Sequence, residues 1–286
     1  MSLVITVDVE DWAQSTLDAS LPLYARAERN MERVLDIAAE HHCRMTCFVL
    51  GLFAERFTQT VQRIGREGHE VASHGYGHIP AHLQSRPVFR EDVRRAKALL
   101  EDLVGQHVHG YRAPFFSIGR AGPWALEVVA EEGHAYDSSV FPSSGYRNGG
   151  AGWPRCPVRV RTAGGADIVE LPAATARVLG RVWPVAGGGY HRLLPWSLIS
   201  RAVRTSERQT SLAVMYCHPY EFDPHEFRHI PIDVPWRVRL HQGLGRAGFE
   251  AKFRRLIDMG PCRTAVDAAM AGDWPLFELG DDRGGG

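Results

Sequence analysis

The chain has 286 residues with 33 basic and 33 acidic side chains, and 44% of its residues are hydrophobic. That composition suits a globular protein with one sizeable core. The formal charge of zero leaves no global field to favour nucleic acid or an anionic membrane, and the arginines read as scattered over solvated faces.

The predicted elements alternate through the first half. LVITVDV (3–9) is a short β-branched run, and residues 27–41 show helical spacing with Val34, Leu35, Ala38 and Ala39 on the apolar side. CRMTCFVLG (43–51) reads as a strand, 54–67 as a helix ending before Gly68, and HEVASHG (69–75) as a strand. A second amphipathic helix spans 88–104 and ends at Gly105, followed by a short strand at 108–114 and a helix at 123–133. Alternation of this kind implies parallel strands joined by helical crossovers. Residues 142–192 are rich in Gly and Pro and read as loops with short antiparallel strands. SLAVMYCHPYEF (211–222) returns to a buried strand, 246–260 to a helix, and DDRGGG should fray.

No stretch approaches the roughly 20 apolar residues of a membrane span. LVITVDV is interrupted by Asp8 and has no basic region before it, so it does not read as a signal peptide, and the cytoplasm is the expected location. The five cysteines are odd in number. Cys47 and Cys217 fall in apolar runs, which suits buried thiols better than a disulfide set.

The polar residues fall at strand ends: DVED, SHGYGH, YRAP, YDSS and CHPYEFD. In parallel α/β folds those ends share one rim, where sites are built. His74 and His78 alone would read as two loop histidines. With a carboxylate from Asp8, Glu10 or Asp11 they make an open three-ligand metal site. Alternation points Asp8 and Glu10 to the same side of the strand. Arg112 can hold a strand-end carboxylate ionised, and Pro114 leaves the N–H groups of Phe115 and Phe116 available to an oxyanion. His218, followed by Glu221, suits a general acid as well as a satisfied core histidine. Asp137 suits a partner-orienting role or a turn cap.

Together these stretches resemble the polysaccharide deacetylase family, the NodB-homology or carbohydrate esterase family 4 group, in its exopolysaccharide- and exosortase-associated branch. TVDVED resembles the family's first motif, His74 and His78 the second, Arg112 and Pro114 the third, and the strand ending in His218 the last. YDSSVFP, ELPAAT, GGGYHRLLP and HPYEFDP are similar to further stretches of that branch. Gly75 stands where Ser or Thr is usual, and the adjacent Asp–Asp of the first motif is replaced by Asp8-Val-Glu-Asp11.

The resemblance implies a single-domain α/β fold, an irregular (β/α)7 barrel over residues 1–270, with a loop-rich insert at 142–192 and a frayed tail at 271–286. It implies hydrolysis of N-acetyl groups on an amino-sugar glycan. Asp8 would be the base, Arg112 its positioning partner and His218 the general acid. Asp11, His74 and His78 would bind a divalent ion, zinc first and cobalt, nickel or manganese after it, with Glu10 competing for the place of Asp11. Phe115 would serve the oxyanion, and Glu10, Asp137 and Glu221 would lie on the substrate side. Trp12, Tyr146, Trp153, Trp183 and Tyr190 are candidate sugar-stacking faces. An allantoinase-like cyclic amide hydrolase and a non-catalytic glycan-binding protein are the competing readings.

Overall fold

The computed structural model describes residues 2–143, 150 and 152–278. Its strands are β1 (Leu3–Val9), β2 (Thr46–Val49), β3 (Glu70–Ser73), β4 (Gly110–Tyr111), β5 (Tyr136–Asp137), β6 (Val158–Arg161), β7 (Asp167–Glu170), β8 (Thr175–Val178), β9 (Arg181–Pro184), β10 (Ala213–Cys217), β11 (Cys262–Arg263) and β12 (Leu276–Glu278). The helices of the first half are α1 (Ala25–Glu40), α2 (Gly51–Arg56), α3 (Thr58–Arg66), α4 (Arg86–Val104), α5 (Ile118–Ala121) and α6 (Pro123–Glu131). Those of the second half are α7 (Gly188–Leu193), α8 (Trp196–Thr210), α9 (Glu226–His229), α10 (Trp236–Gly243), α11 (Phe249–Ile257) and α12 (Ala265–Ala271).

The main sheet runs β10-β1-β2-β3-β4-β5-β7-β6-β12, with β11 also on β1. From β10 to β7 every pairing is parallel. All residues of β1 are buried, which is why LVITV is apolar on both faces: a central parallel strand is covered on both sides. Among the described residues β7 and β10 form no ladder, so the expected barrel stays open there. One bond from the Ala174 N–H to the Val214 carbonyl, 2.9 Å, spans the gap.

The helices cover this sheet as their spacing requires. α1 buries Met31, Val34, Leu35, Ile37 and Ala38 against the core, while Ala39 is exposed. The helix expected over 54–67 is two helices, broken at Phe57, whose φ of −126° and ψ of 51° leave the helical region. Burial of that side chain beside Phe53 accompanies the break. α4 ends on Gly105 at φ 66°, a left-handed cap that suits glycine.

The region 142–192 carries two antiparallel pairs, β6 with β7 and β8 with β9. The tail departs from expectation: Leu276–Glu278 pair in parallel with β6 instead of fraying. Residues 279–286 lie outside the described residues, as does Tyr146. No helix among the described residues is long and apolar enough to cross a membrane.

Candidate active site

Parallel pairing brings the carboxyl ends of β1, β3, β4, β5 and β10 to one rim. Glu10 follows β1 directly and is 4% exposed. Its Oε2 lies 2.7 Å from His78 Nε2 and 3.6 Å from His74 Nε2, and its Oε1 lies 3.8 Å from His218 Nε2. Burial alone would raise the Glu10 carboxyl; the neighbouring imidazoles of His78, His74 and His218 outweigh it and hold the group well below the usual carboxylate range.

The two histidines are aimed by the backbone of SHGYGH. Gly75 takes φ 74°, and a Cβ there would sit 2.8 Å from Asp92 Oδ2. That accounts for glycine where the family carries Ser or Thr. Asp92, on α4, accepts from the Tyr76 and Gly77 N–H groups at 2.9 and 3.2 Å and pins the turn. His78 itself is left-handed at φ 60°, an uncommon conformation that places its ring against Glu10. His74 Nδ1 lies 2.8 Å from the Arg112 carbonyl oxygen. A carbonyl only accepts, so Nδ1 carries the proton and the Nε2 lone pair turns toward Glu10.

Glu10, His74 and His78 each offer a ligand atom within 4.8 Å of the others, and all three are buried. Two neutral imidazoles and a carboxylate at that spread fit one divalent ion at ligand bonds of about 2.0–2.2 Å. Asp11, expected as the acidic ligand, is a correction. Its carboxylate accepts from the Ala13 N–H at 2.8 Å and the Tyr24 N–H at 2.9 Å, capping the turn after β1, and so faces away from the imidazoles.

Asp8 is 2% exposed and Arg112 fully buried. Arg112 Nη1 donates to Asp8 Oδ1 at 2.7 Å and to Thr6 Oγ1 at 2.7 Å. Its Nε and Nη2 donate to the Ser138 carbonyl and Oγ at 3.0 and 2.9 Å. The guanidinium lies 4.1 Å over the Phe48 ring. A buried ion pair needs such satisfied donors to be tolerated.

His218 stacks on Tyr220, with ring centroids 4.7 Å apart and planes 10° from parallel. Its backbone N–H donates to Glu221 Oε2 at 3.1 Å, and the ring Nδ1 lies 3.6 Å from the same oxygen. Burial disfavours the imidazolium, but Glu221, Glu10 and Asp8 outweigh it and lift the pKa to about 8. Arg192 Nε lies 3.2 Å from Glu221 Oε1. Glu221 therefore orients His218 rather than lining a substrate face.

Asp137 is a second correction on the substrate side. It accepts from the Ser139 Oγ at 2.6 Å and the Ser139 N–H at 2.9 Å, and pairs with Glu170 below the rim. Phe115 is 42% exposed with its ring 4.7 Å from that of His78, while the Phe116 N–H donates to the Ala113 carbonyl in the turn. Trp12 is fully buried against Phe227, which removes it as a stacking face; Trp183 and Tyr190 are exposed. Thr6, Asp92 and Arg192 were not singled out from the sequence. Thr6 alone had a signal, two residues before Asp8 on the same face of β1.

Residues 8–131 match the family model described as polysaccharide deacetylase, and residues 138–267 match a domain of unknown function, DUF3473. A peptidoglycan deacetylase of Helicobacter pylori is 28% identical over 124 residues, 43% of this chain and 41% of that protein. The match thus spans under half the length of that curated relative. Among solved structures, a Mycobacterium smegmatis protein named with the polysaccharide deacetylases superposes with a TM-score of 0.63 at 20% identity, over 94% of this chain and 89% of the other. An allantoinase superposes with a TM-score of 0.62 at 15% identity, over 94% and 89%. At these identities the likenesses show the fold alone. The match over residues 8–131, under half of the chain, contains Asp8, Glu10, His74, His78 and Arg112, so the segment that carries these site residues is similar to polysaccharide deacetylases.

Proposed function

We propose that this protein is a metal-dependent hydrolase that removes N-acetyl groups from an amino-sugar glycan or glycan precursor and releases acetate. The observation that carries the reading is the meeting of three imidazoles on one buried carboxylate, Glu10, beside the Asp8–Arg112 pair. Glu10, His74 and His78 would hold the ion, zinc by the chemistry of the donor set. When bound, it supplies a Lewis acid that polarises a carbonyl oxygen and eases ionisation of water.

Asp8 is held by Arg112 through Oδ1, which leaves Oδ2 to take the proton from the attacking water. His218 Nε2 faces the same space and donates to the leaving amine nitrogen, because an amine leaves poorly unless protonated. The Tyr220 ring stacks on the imidazole and Glu221 lies beside its Nδ1, which sets the ring for that transfer. Phe115 shields His78 at the mouth of the site.

The allantoinase-like reading shares the fold and is separated by substrate. The test is a screen of the zinc- or cobalt-loaded protein on chitooligosaccharides, N-acetylated peptidoglycan fragments and allantoin. Acetate with a matching free amine supports the reading. Ureide ring opening without acetate release replaces it with the cyclic-amide reading, and oligosaccharide binding with no product replaces it with a non-catalytic one.

A further inference from the structure

The surface formed by α10 and the α7–α8 corner is unevenly built. Helix α10 has no buried residue along its length. Trp236 and Leu240, one turn apart on this helix, and Leu244 just past its end are 69%, 59% and 56% exposed, so these apolar side chains face outward. Its end is tied to α7, where Arg192 donates to the carbonyls of Gln242 and Leu244. α7 in turn packs its Gly188 against Glu221, the partner of His218.

The apolar exposure continues past α7. Leu193 and Leu198 are each 53% exposed. A groove of about 1550 Å³ is lined by α8 and the β8–β9 hairpin. At the hairpin tip Leu179 is 98% exposed and left-handed at φ 50°. Hairpin turns of this kind favour Asn or Gly there. A leucine gains nothing from water or from that backbone conformation.

Arginines flank each apolar projection: Arg177 and Arg181 beside Leu179, Arg201 and Arg204 on α8, and Arg237 on α10. Among the described residues the nearby ion pairs are Arg192–Glu221, which points inward, and Arg239–Asp233. Those five arginines have no acidic partner among the described residues. Glu207 of α8 is engaged by the Ser2 N–H. The zero net charge of the chain therefore hides a face that is locally basic.

Protruding Trp and Leu side chains flanked by uncompensated arginines are the composition of a surface that enters the headgroup layer of an anionic bilayer. We propose that α10, the α7–α8 corner and the β8–β9 tip form a docking surface for an anionic phospholipid bilayer, which would hold the catalytic rim next to membrane-associated glycan.

The test is sedimentation of the metal-loaded full chain with vesicles of phosphatidylcholine, with and without phosphatidylglycerol. The protein should sediment with the anionic vesicles only, and less as salt rises. The double variant Arg201→Gln/Arg204→Gln should bind about thirtyfold more weakly, and Trp236→Ser/Leu240→Ser should lose binding, with circular dichroism unchanged in both. No sedimentation with anionic vesicles would overturn the proposal, as would equal binding by the variants. So would dimerisation through this face, seen in ultracentrifugation and abolished by Trp236→Ser/Leu240→Ser. Sedimentation needs no turnover, so its outcome is independent of the deacetylase reading.

Discussion

Glu10 and Asp11 are adjacent acids with opposite employment. Glu10 continues the strand direction into the rim and meets the imidazoles, while Asp11 turns back and satisfies two backbone N–H groups. Glu10→Gln should weaken zinc binding by more than the roughly 10–100-fold seen for outer partners of a ligand. Asp11→Ala should keep the metal and lose stability, about 1–3 kcal/mol for each orphaned N–H. Elemental analysis and urea melts read both; metal loss confined to Asp11→Ala would reverse the assignment. Asp8→Asn should retain metal while acetate release falls about 10²–10⁴-fold. The alternation of β1 made the shared side of Asp8 and Glu10 legible in sequence. The choice of Asp11 followed ligand type in the family, and it failed because the backbone turns at that residue to start a helical turn.

At the scale of elements, the site depends on close approaches that only small residues permit. A Cβ on Gly188 would lie 1.5 Å from Glu221 Oε2. Gly188→Ala should therefore push Glu221 off His218, lowering acetate release while zinc content stays whole; unchanged turnover would remove Glu221 as the orienting group. Parallel strands and their helices were readable from period and caps, as at Gly105. Three features were not. β4 and β5 are two residues long, too short to show a period. The break at Phe57 lies inside continuous apolar spacing. β12 lies in a tail whose polar composition masks the short segment that pairs with β6.

The whole molecule also holds neutral histidines in its interior. Burial depresses His134 to about 3 and His191 to about 4. Between those values and the ordinary value near 6.5 these two side chains bind more protons unfolded than folded, so their contribution to stability is full above about pH 6.5 and falls with acid. Comparing urea unfolding of His134→Gln with the unsubstituted chain cancels every other titrating group: the variant should lose about 2 kcal/mol less between pH 7.5 and pH 5, and an equal loss in both would place a protonated His134 in the fold. Net charge, another whole-molecule property, was a poor guide to the surface, because a sum over 66 charged side chains says nothing of where they lie. The strand-end residues were a better guide, since parallel pairing forces them onto one rim. That convergence is best tested by an anomalous difference map from zinc-loaded crystals. One strong peak about 2.0–2.2 Å from a Glu10 oxygen and the Nε2 atoms of His74 and His78 is expected; a zinc ligated by Asp11, or no peak among these three residues, would contradict it.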